Sequence, residues 1–567
     1  MSARIRMDDM SHLPRVGVKV TDPSRRSVNS GQFESEPPPT RGRGRPSTAA
    51  PAVDRIFFAS LPSRPRDSTS VFLTGGWSRR ARLLLPMTPS LRDYSRAGDN
   101  TRPGLRRQSL IAHYVNLLTY WLRLATKDYG FQKSDRFREE RSMSGCVKHS
   151  AIVAAGAVVA LLPMTGAATA AGFQLREMSA EGVGTAFSGA TAKAADPSTI
   201  YTNPAGMMRI PGTRAQLDLN YIAPQIRFSG DAGTTGLSYS GNNGGDAGES
   251  ALVPAFYGLI DLTPTIKAGL SLTVPFGLAT EYDDDWKGRY FAIESEIQNI
   301  VLTPSIAWQA TDQLSLGAGI QIGHADATLS KALNLSPLGL GDGMSELTGD
   351  GYGYGFTLGM LYEIAPTTRV GVSYRSKAKY TLEGTAKITG VPDPFIAAVP
   401  QLRSSDAEAE VTMPDVLSIG AYHELSPQWA VMGDLSWTNW STFEELRVKF
   451  DDGRPDDVTD ENWHDSWFVA LGADYKPREN HTIHFGVAYD QSPVPNDNRT
   501  ARIPDSDRYW ASLGYSYEFA PDRTINFGYT HIFFDDADIK ETTGAGTLKG
   551  SYEGHADILS ASLTYRF

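Results

Sequence analysis

Apolar and polar residues alternate along fourteen strand-like segments between Thr213 and Phe567. A period of two residues sends successive side chains to opposite faces of a strand. The last segment shows the pattern best. Its apolar set is Leu559, Ala561, Leu563, Tyr565 and Phe567, and its polar set is Ser560, Ser562, Thr564 and Arg566. The pattern predicts strands with one apolar face and one polar face.

The connections between these segments alternate between short and long. The short ones are 263–264, 311–312, 365–366, 426–427, 477–480 and 520–522, most of them with Pro, Asp or Asn at the turn. The long ones are 230–250, 277–288, 332–352, 388–407, 450–462, 491–504 and 535–547. Outer-membrane barrels have an even number of strands, short periplasmic turns and long external loops. The sequence therefore predicts an all-β fold, a fourteen-stranded antiparallel transmembrane β-barrel over 213–567.

Tryptophans fall near both ends of the predicted strands. Trp308 and Trp429 lie toward the short turns, and Trp437, Trp440, Trp463, Trp467 and Trp510 lie toward the long loops. Because amphipathic aromatic side chains favour both membrane interfaces, the two groups predict two aromatic belts.

Residues 172–212 precede the first strand, lack clean alternation and are rich in Gly and Ala. The lumen of a fourteen-stranded barrel is too wide for wall side chains alone to fill. We therefore expect 172–212 to form an N-terminal plug, or hatch, inside the barrel.

The first 142 residues differ from the rest in charge. They hold 26 of the chain's 54 Lys and Arg residues but only 13 of its 64 Asp and Glu residues. Their Pro, Ser and Arg content fits a disordered or spurious upstream extension. The alternative is a basic arm that binds nucleic acid.

A secretory signal peptide is predicted over 143–171. Met143 and Lys148 precede an apolar run at 151–162, and small residues follow at 167–171. The run is too short to span a bilayer as a helix. A signal peptide this deep in a chain would not work, so we expect Met143 to be the true start. The only cysteine, Cys146, lies within the signal, which leaves no disulfide or thiolate chemistry for the mature chain.

No motif for enzymatic chemistry, a cofactor or a metal stands out. Gly-x-Ser-x-Gly and Cys/His zinc spacings are absent, and His481 and His484 fit solvated turn histidines better than a metal pair. The glycine-rich stretch 351–355 lacks the following helix that phosphate binding needs. Acidic clusters at 283–285, 451–452 and 535–536 fit solvated loop charge, with divalent-cation binding as the alternative.

Two of the long loops are unusually apolar. Leu333, Leu335, Leu338 and Leu340 lie in one, and Pro392, Pro394, Phe395, Ile396 and Val399 lie in the other. An exposed apolar patch usually marks a binding site, although the two loops could instead pack on each other as a lid. Lys331 borders the first loop and faces the lumen by parity, whereas the parity of Arg447 points it outward. A cation beside an apolar groove suits an amphipathic carboxylate.

The chain from about 171 onward resembles the FadL family of outer-membrane transporters for long-chain fatty acids and other hydrophobic compounds. The matching segments are 171–175, 203–205, 276–281, 413–414, 427–430, 440–443, 490–495 and 503–510. The resemblance implies fourteen strands, an N-terminal hatch and a bend in the third strand that opens sideways to the membrane.

The resemblance also implies roles for individual residues. Lys331 and Arg447 match basic positions associated with ligand binding. The apolar loop residues described above and Phe173 are expected to bind the same ligand; the loop residues are Leu333, Leu335, Leu338, Leu340, Phe395 and Ile396. Gating is expected at Gly277, which matches the bend, and at Asn203, Pro204 and Ala205 in the hatch.

The sequence therefore predicts a monomeric passive transporter, and not an enzyme, in the outer membrane of a Gram-negative bacterium. Its expected ligand is a long-chain fatty acid or a similar hydrophobe, and aromatic hydrocarbons are the nearest rival. A general porin and a barrel-embedded lipid hydrolase are less favoured alternatives. Expected partners are outer-membrane lipid, lipopolysaccharide and, through Phe567, the barrel assembly machinery. Neither a cofactor nor nucleic acid is expected.

Overall fold

A computed structural model describes residues 172–567, with the backbone alone at Pro400. The predicted extension 1–142 and the predicted signal peptide 143–171 lie outside the described residues. Fourteen antiparallel strands form a closed ring, and the first strand pairs with the last from Arg214↔Arg566 to Gly233↔Thr547. This confirms the predicted fold.

The strands, several of them interrupted, are numbered here in chain order. They are β1 Arg214–Thr234, β2 Ala251–Thr263, β3 Ile266–Glu281, β4 Glu294–Gln309, β5 Leu314–Leu333, β6 Gly343–Ala365, β7 Thr368–Arg375 with Ala378–Thr389, β8 Ser405–Met413 with Val416–Glu424, β9 Trp429–Thr438 with Glu445–Phe450, β10 Asp457–Asp460 with Ser466–Arg478, β11 His481–Asp490, β12 Arg508–Ala520, β13 Arg523–Phe534 with Ala537–Thr543, and β14 Gly546–Arg566. A two-residue strand, Leu237–Ser238, folds back on the end of β1.

Helices in the described part of the chain are short. They are α1 Ala180–Gly184, α2 Thr199–Thr202 and α3 Asp393–Ala398, with 3₁₀ turns at Pro204–Arg209, Ser336–Leu338, Pro400–Leu402 and Trp440–Thr442. None of the helices within 172–567 is long and apolar enough to span a membrane.

The long loops are shorter than the sequence pattern predicts, because the strands continue beyond their alternating parts. The loop predicted at 332–352 is reduced to 334–342, and the glycine-rich stretch 351–355 lies inside β6. The loop predicted at 535–547 is mostly an extended hairpin whose tip is 544–545. In the loop predicted at 388–407, α3 supplies a helical turn. Glycine and charged residues hid these strand ends from a search for apolar alternation.

The wall of the barrel is apolar outside and polar inside. In β1, the polar side chains of Gln216, Asp218 and Asn220 are buried in the interior, whereas Tyr221 on the other face is exposed. Exposed Trp308, Trp429 and Trp467 face outward, as the predicted belts require.

Three of the predicted belt tryptophans instead point inward. Trp440, Trp463 and Trp510 are buried. Trp440 and Trp463 lie in the interruptions of β9 and β10, where the period of two is lost, so position in the sequence did not reveal their direction. The predicted upper belt is therefore wrong at these three positions.

Residues 172–212, called here the inner segment, lie inside the ring of strands. The inner segment contacts opposite sides of the wall: α1 packs on β12 and β13, and the turn at 203–205 packs on β5 and β6. Glycines allow the close approach, because a Cβ on Gly317 or Gly359 would overlap the backbone or side chains of 203–205. Its role as a plug stays a prediction.

Buried charges also hold the inner segment to the wall. The Lys193 ammonium pairs with Asp474 of β10 at 2.7 Å and with Glu181 of the inner segment. On the other side, Arg369 of β7 donates to the carbonyl oxygens of Ala192 (2.9 Å) and Lys193 (2.6 Å). These contacts fix the middle of the inner segment from two directions.

Barrel assembly is expected to depend on Phe567. Its backbone N–H donates to the Thr213 carbonyl oxygen at 3.0 Å, and its ring lies 4.7 Å from that of Tyr565. Phe567→Asp should lower the folded fraction, because it places a charge at the end of the apolar face, whereas Phe567→Trp should assemble like the parent. Heat-modifiable migration in gels measures the folded fraction, and an equal yield for Phe567→Asp would contradict this role.

Candidate functional site

The wall is incomplete between β2 and β3. Their ladder runs from Thr263↔Ile266 only to Phe256↔Leu272, although both strands continue beyond it. Further along, the pairing register between β3 and β4 shifts between Thr273 and Phe276. Pro275 lies in this shift and has no N–H to donate to a ladder, so the strand bends there.

The N-terminal end of the inner segment occupies the edge that β2 leaves open. Gln174 forms an isolated antiparallel bridge with Phe276. The Leu175 N–H donates to the Pro275 carbonyl oxygen at 2.9 Å, and the Gly277 N–H donates to the Phe173 carbonyl oxygen at 2.8 Å. Residues 173–175 thus replace a wall strand over a short length of β3.

Phe173 is buried in a cluster of aromatic rings. Its ring centroid lies 4.7 Å from that of Trp440, 5.7 Å from Phe443, 5.6 Å from Trp463 and 6.1 Å from Phe276. Gly172 has φ +61°, and a Cβ there would lie 2.5 Å from the Trp463 ring. Only glycine fits this entry into the cluster.

A largely apolar cavity opens beside Phe173. It encloses about 870 Å³, including its open mouth. Apolar side chains of the seven strands β3 to β9 and of the break in β9 line it, among them Leu278, Ile297, Leu329, Leu347, Leu382, Val411, Phe443, Leu446 and Val448. The cavity therefore lies at the long-loop end of the barrel, with Phe173 in its wall.

Four charged residues interrupt this apolar lining, namely Glu296, Glu408, Glu461 and Arg502. Arg502, from the loop between β11 and β12, and Glu461, from the break in β10, both line the cavity. The Glu461 carboxylate accepts a hydrogen bond from Trp463 Nε1 at 2.9 Å. Burial raises the pKa of Glu461 to about 7, because desolvation disfavours its charged form.

The two cations predicted for the site occupy different places. Lys331 lines a smaller cavity of about 390 Å³ that shares Arg502 with the main one, and it pairs with Asp457 at 3.3 Å. Arg447 is half-exposed and pairs with Glu445 at 2.7 Å and Asp456 at 3.0 Å. Its neighbours Leu446 and Val448 line the cavity, so Arg447 lies on the opposite face of β9. The Arg447 side chain therefore does not line this cavity, in line with its outward parity, and its role in ligand binding stays a prediction.

The predicted loop residues lie away from the cavity wall. Leu335 is buried and Leu338 is exposed, while Leu333, Leu340, Phe395 and Ile396 are partly buried, and none of these six lines the main cavity. Leu335 and Val391 both lie within 3.5 Å of the position of a Cβ on Gly343. The two apolar loops thus approach each other, as in the lid alternative.

The predicted gating residues fall into two groups. Gly277 lies just beyond the bend and donates to Phe173, as described above. Asn203 is fully buried and donates to the carbonyl oxygens of Thr191 (2.7 Å) and Met360 (3.0 Å), while its Oδ1 accepts from the Ala205 N–H. Pro204 and Ala205 follow in a 3₁₀ turn. This turn is anchored to β6, far along the segment from the bend.

His481 and His484 lie in two different environments, and His484 is buried rather than solvated. His481 bonds the Tyr515 hydroxyl at 2.6 Å, whereas His484 bonds Asp474 at 2.7 Å. Glu181, Asp474 and His484 place possible ligand atoms within 4.8 Å of one another. The Lys193 ammonium, which pairs with Glu181 and Asp474, already supplies a positive charge there.

Sequence reasoning missed Arg502, Glu461 and the inward direction of Trp440 and Trp463. Arg502 immediately precedes the matched segment 503–510, and Pro275 interrupts an otherwise apolar strand. The position of Arg502 could have indicated the site, and Pro275 could have indicated the bend in β3.

A closed barrel with an apolar outer face, an inner segment and an apolar cavity near its long loops defines a class, the outer-membrane channels for hydrophobic compounds. The sequence profile described as "Outer membrane protein transport protein (OMPP1/FadL/TodX)" matches residues 161–567. The chain belongs to this family. It is thus an outer-membrane transporter of hydrophobic compounds from a Gram-negative bacterium.

The matches to individual relatives extend over nearly the whole length of each relative. A long-chain fatty acid transport protein of Escherichia coli is 30% identical over 441 residues, which cover 72% of this chain and 97% of the relative. Outer membrane protein P1 of Haemophilus influenzae is 28% identical over 455 residues, covering 72% and 98%.

Solved structures agree in fold. A FadL homologue of Pseudomonas aeruginosa has 29% identity and a TM-score of 0.67, covering 70% of this chain and 100% of the homologue. The toluene transporter TodX of Pseudomonas putida has 19% identity and a TM-score of 0.53, covering 69% and 98%, and supports the fold alone.

The raised pKa of Glu461 predicts a pH-dependent stability. The carboxyl binds its proton more tightly in the folded state, so its contribution is fully present below about pH 4.5 and is lost as the pH rises through 7. Glu461→Gln should therefore be more stable than the parent at pH 8, by up to about 3 kcal/mol, and similar to it at pH 4.

Urea unfolding followed by tryptophan fluorescence at the two pH values measures this difference. Glu479→Gln, at an exposed turn, is the control and should follow the parent. An unchanged pH dependence in Glu461→Gln would show that Glu461 is not the titrating group.

Proposed function

We propose that the protein takes up long-chain fatty acids across the outer membrane. The observation that carries the proposal is the apolar cavity of about 870 Å³ whose wall includes Phe173 of the inner segment. The Escherichia coli relative, a long-chain fatty acid transport protein, supports the same substrate class. A general porin is disfavoured, because the inner segment contacts the wall on opposite sides of the lumen.

Capture begins at the long-loop end. An alkyl chain that leaves lipopolysaccharide gains about 25 cal/mol for each Å² of apolar surface it buries. Leu278, Leu329 and Leu382 offer such a surface in the cavity. The apolar loops around Leu335 and Phe395 form the approach to it, and Lys331 remains a predicted contact for a carboxylate.

Release proceeds sideways, through the break between β2 and β3. A ligand that displaces Phe173 from its aromatic cluster removes the acceptor of the Gly277 N–H, and the shift of Leu175 frees the Pro275 carbonyl oxygen. The edge of β3 then loses its substitute strand. The hydrophobe enters the bilayer through this gap without crossing water, while the rest of the inner segment stays in place as a plug.

A reversible cross-link between the inner segment and β3 tests lateral release. Gln174→Cys with Phe276→Cys joins an antiparallel bridge pair, whose Cα separation suits a disulfide. No other cysteine is present in 172–567. Under oxidising conditions the double variant should bind oleate but lose at least about nine-tenths of oleate uptake. Reduction should restore uptake.

Each single cysteine variant is the control, and both should transport oleate under oxidising and reducing conditions. Normal uptake by the oxidised double variant, with the disulfide confirmed by mass spectrometry, would rule out release at this edge.

The substrate class is tested by the ligand that the purified protein retains. Native mass spectrometry of protein from cells supplied with both oleate and toluene should find a bound long-chain fatty acid, because the cavity is lined along several strands by alkyl side chains. Retention of the aromatic hydrocarbon alone would replace the proposed substrate with the rival one.

A further inference from the structure

Arg502 is fixed at the ligand cavity by neutral groups. Its Nη1 donates to the carbonyl oxygen of Glu294 at 3.2 Å, to Ser295 Oγ at 3.1 Å and to the carbonyl oxygen of Ser330 at 3.3 Å. These acceptors lie at the ends of β4 and β5. They hold the guanidinium in one orientation, and no hydrogen bond found within 172–567 uses its Nη2 or Nε.

Three carboxylates near Arg502 favour its charged form electrostatically, but each of them has another donor. Glu461 accepts from Trp463, Glu541 accepts from the Ala501 N–H at 2.8 Å, and Asp457 pairs with Lys331. Within 172–567, Arg502 takes part in none of the ion pairs found at 4.0 Å or less, such as those of Lys331 and Arg447. A guanidinium in an apolar cavity without a bound carboxylate is costly, because buried charges are normally paired.

The surroundings of Arg502 define the ligand that would pair with it. On one side lie the alkyl side chains of the cavity, and on the other lies the smaller cavity shared with Lys331. A planar guanidinium binds a carboxylate through two parallel hydrogen bonds. We propose that Arg502 binds the carboxylate of an amphipathic ligand and so makes the cavity selective for fatty acids over uncharged hydrophobes. This inference rests on the proposed function and names the side chain that recognises the substrate carboxylate.

The test compares oleate with oleyl alcohol, which has the same alkyl chain and no negative charge. Arg502→Gln should weaken oleate binding by about 10- to 100-fold, the range of a charge-assisted hydrogen bond, and change oleyl alcohol binding by less than about 3-fold. Arg502→Lys keeps the charge but loses the two parallel N–H donors of the guanidinium, so it should retain part of the preference for oleate over oleyl alcohol. Equilibrium dialysis of the purified protein in lipid nanodiscs with radiolabelled ligands measures both affinities.

Arg227→Gln is the matched control, since Arg227 is an exposed arginine of β1 that pairs with Asp246 and lines neither cavity. It should bind both ligands like the parent. Heat-modifiable migration must show that each variant is folded before its binding is compared.

Two results would overturn the inference. Arg502→Gln could bind oleate like the parent, or it could weaken oleate and oleyl alcohol equally, which would mean that Arg502 only supports the loop packing. Failure of the parent itself to bind either ligand would instead reject the proposed function. The assay thus separates the two claims.

Discussion

A strand that crosses a bilayer must find partners for its backbone N–H and C=O groups within the protein, because lipid tails offer none. Closure of β14 onto β1 meets this requirement for the ring as a whole. The exception is β3, which leaves β2 after Leu272 and bends at Pro275. Its open edge is completed by residues 173–175 of the inner segment and, further along, by Gly248, which bridges Thr280. The beginning of the inner segment is therefore held where the ladder between β2 and β3 ends.

This arrangement gives the same few residues two tasks. Phe173 offers its carbonyl oxygen to β3 and its ring to the cavity wall. An event in the cavity that moves the ring must also move the backbone that completes the barrel. The coupling needs no long pathway, because the cavity and the break in the wall share a residue.

The regular part of this fold could be predicted from the sequence, and the irregular part could not. Alternation like that of 559–567 marks a strand and its outward face, and short turns at Pro and Asp mark one end of the barrel. Where a strand is interrupted, the regular alternation of inward and outward side chains is lost, so the direction of a side chain can no longer be inferred from its position. Trp440 and Trp463 lie in two interruptions and proved to be buried, and Arg447, next to one, pairs with loop acids rather than facing the cavity. Arg502 reaches the site from a loop, and no local pattern indicates which strand ends a loop residue will touch.

The contacts of the inner segment differ along its length in a way that bears on movement. Its middle is held by Lys193 with Asp474, by Arg369 and by the buried Asn203 turn seated on wall glycines. Its beginning contacts the wall through the Phe173 ring, through the Gly172 N–H on Asp505 (2.9 Å) and through Gln174, which accepts from Thr438 (3.2 Å). It is joined to β3 itself by two backbone hydrogen bonds, each worth about 0.5–1.5 kcal/mol net. Breaking both costs a few kcal/mol at most, whereas burying an alkyl chain contributes about 0.8 kcal/mol for each CH₂. A fatty acid that replaces Phe173 among the aromatic rings thus has enough binding energy to free the edge of β3, but exposing the charges around Lys193 would cost far more. The proposed gate is accordingly the first few residues, and the remainder of the inner segment is the fixed part against which they move.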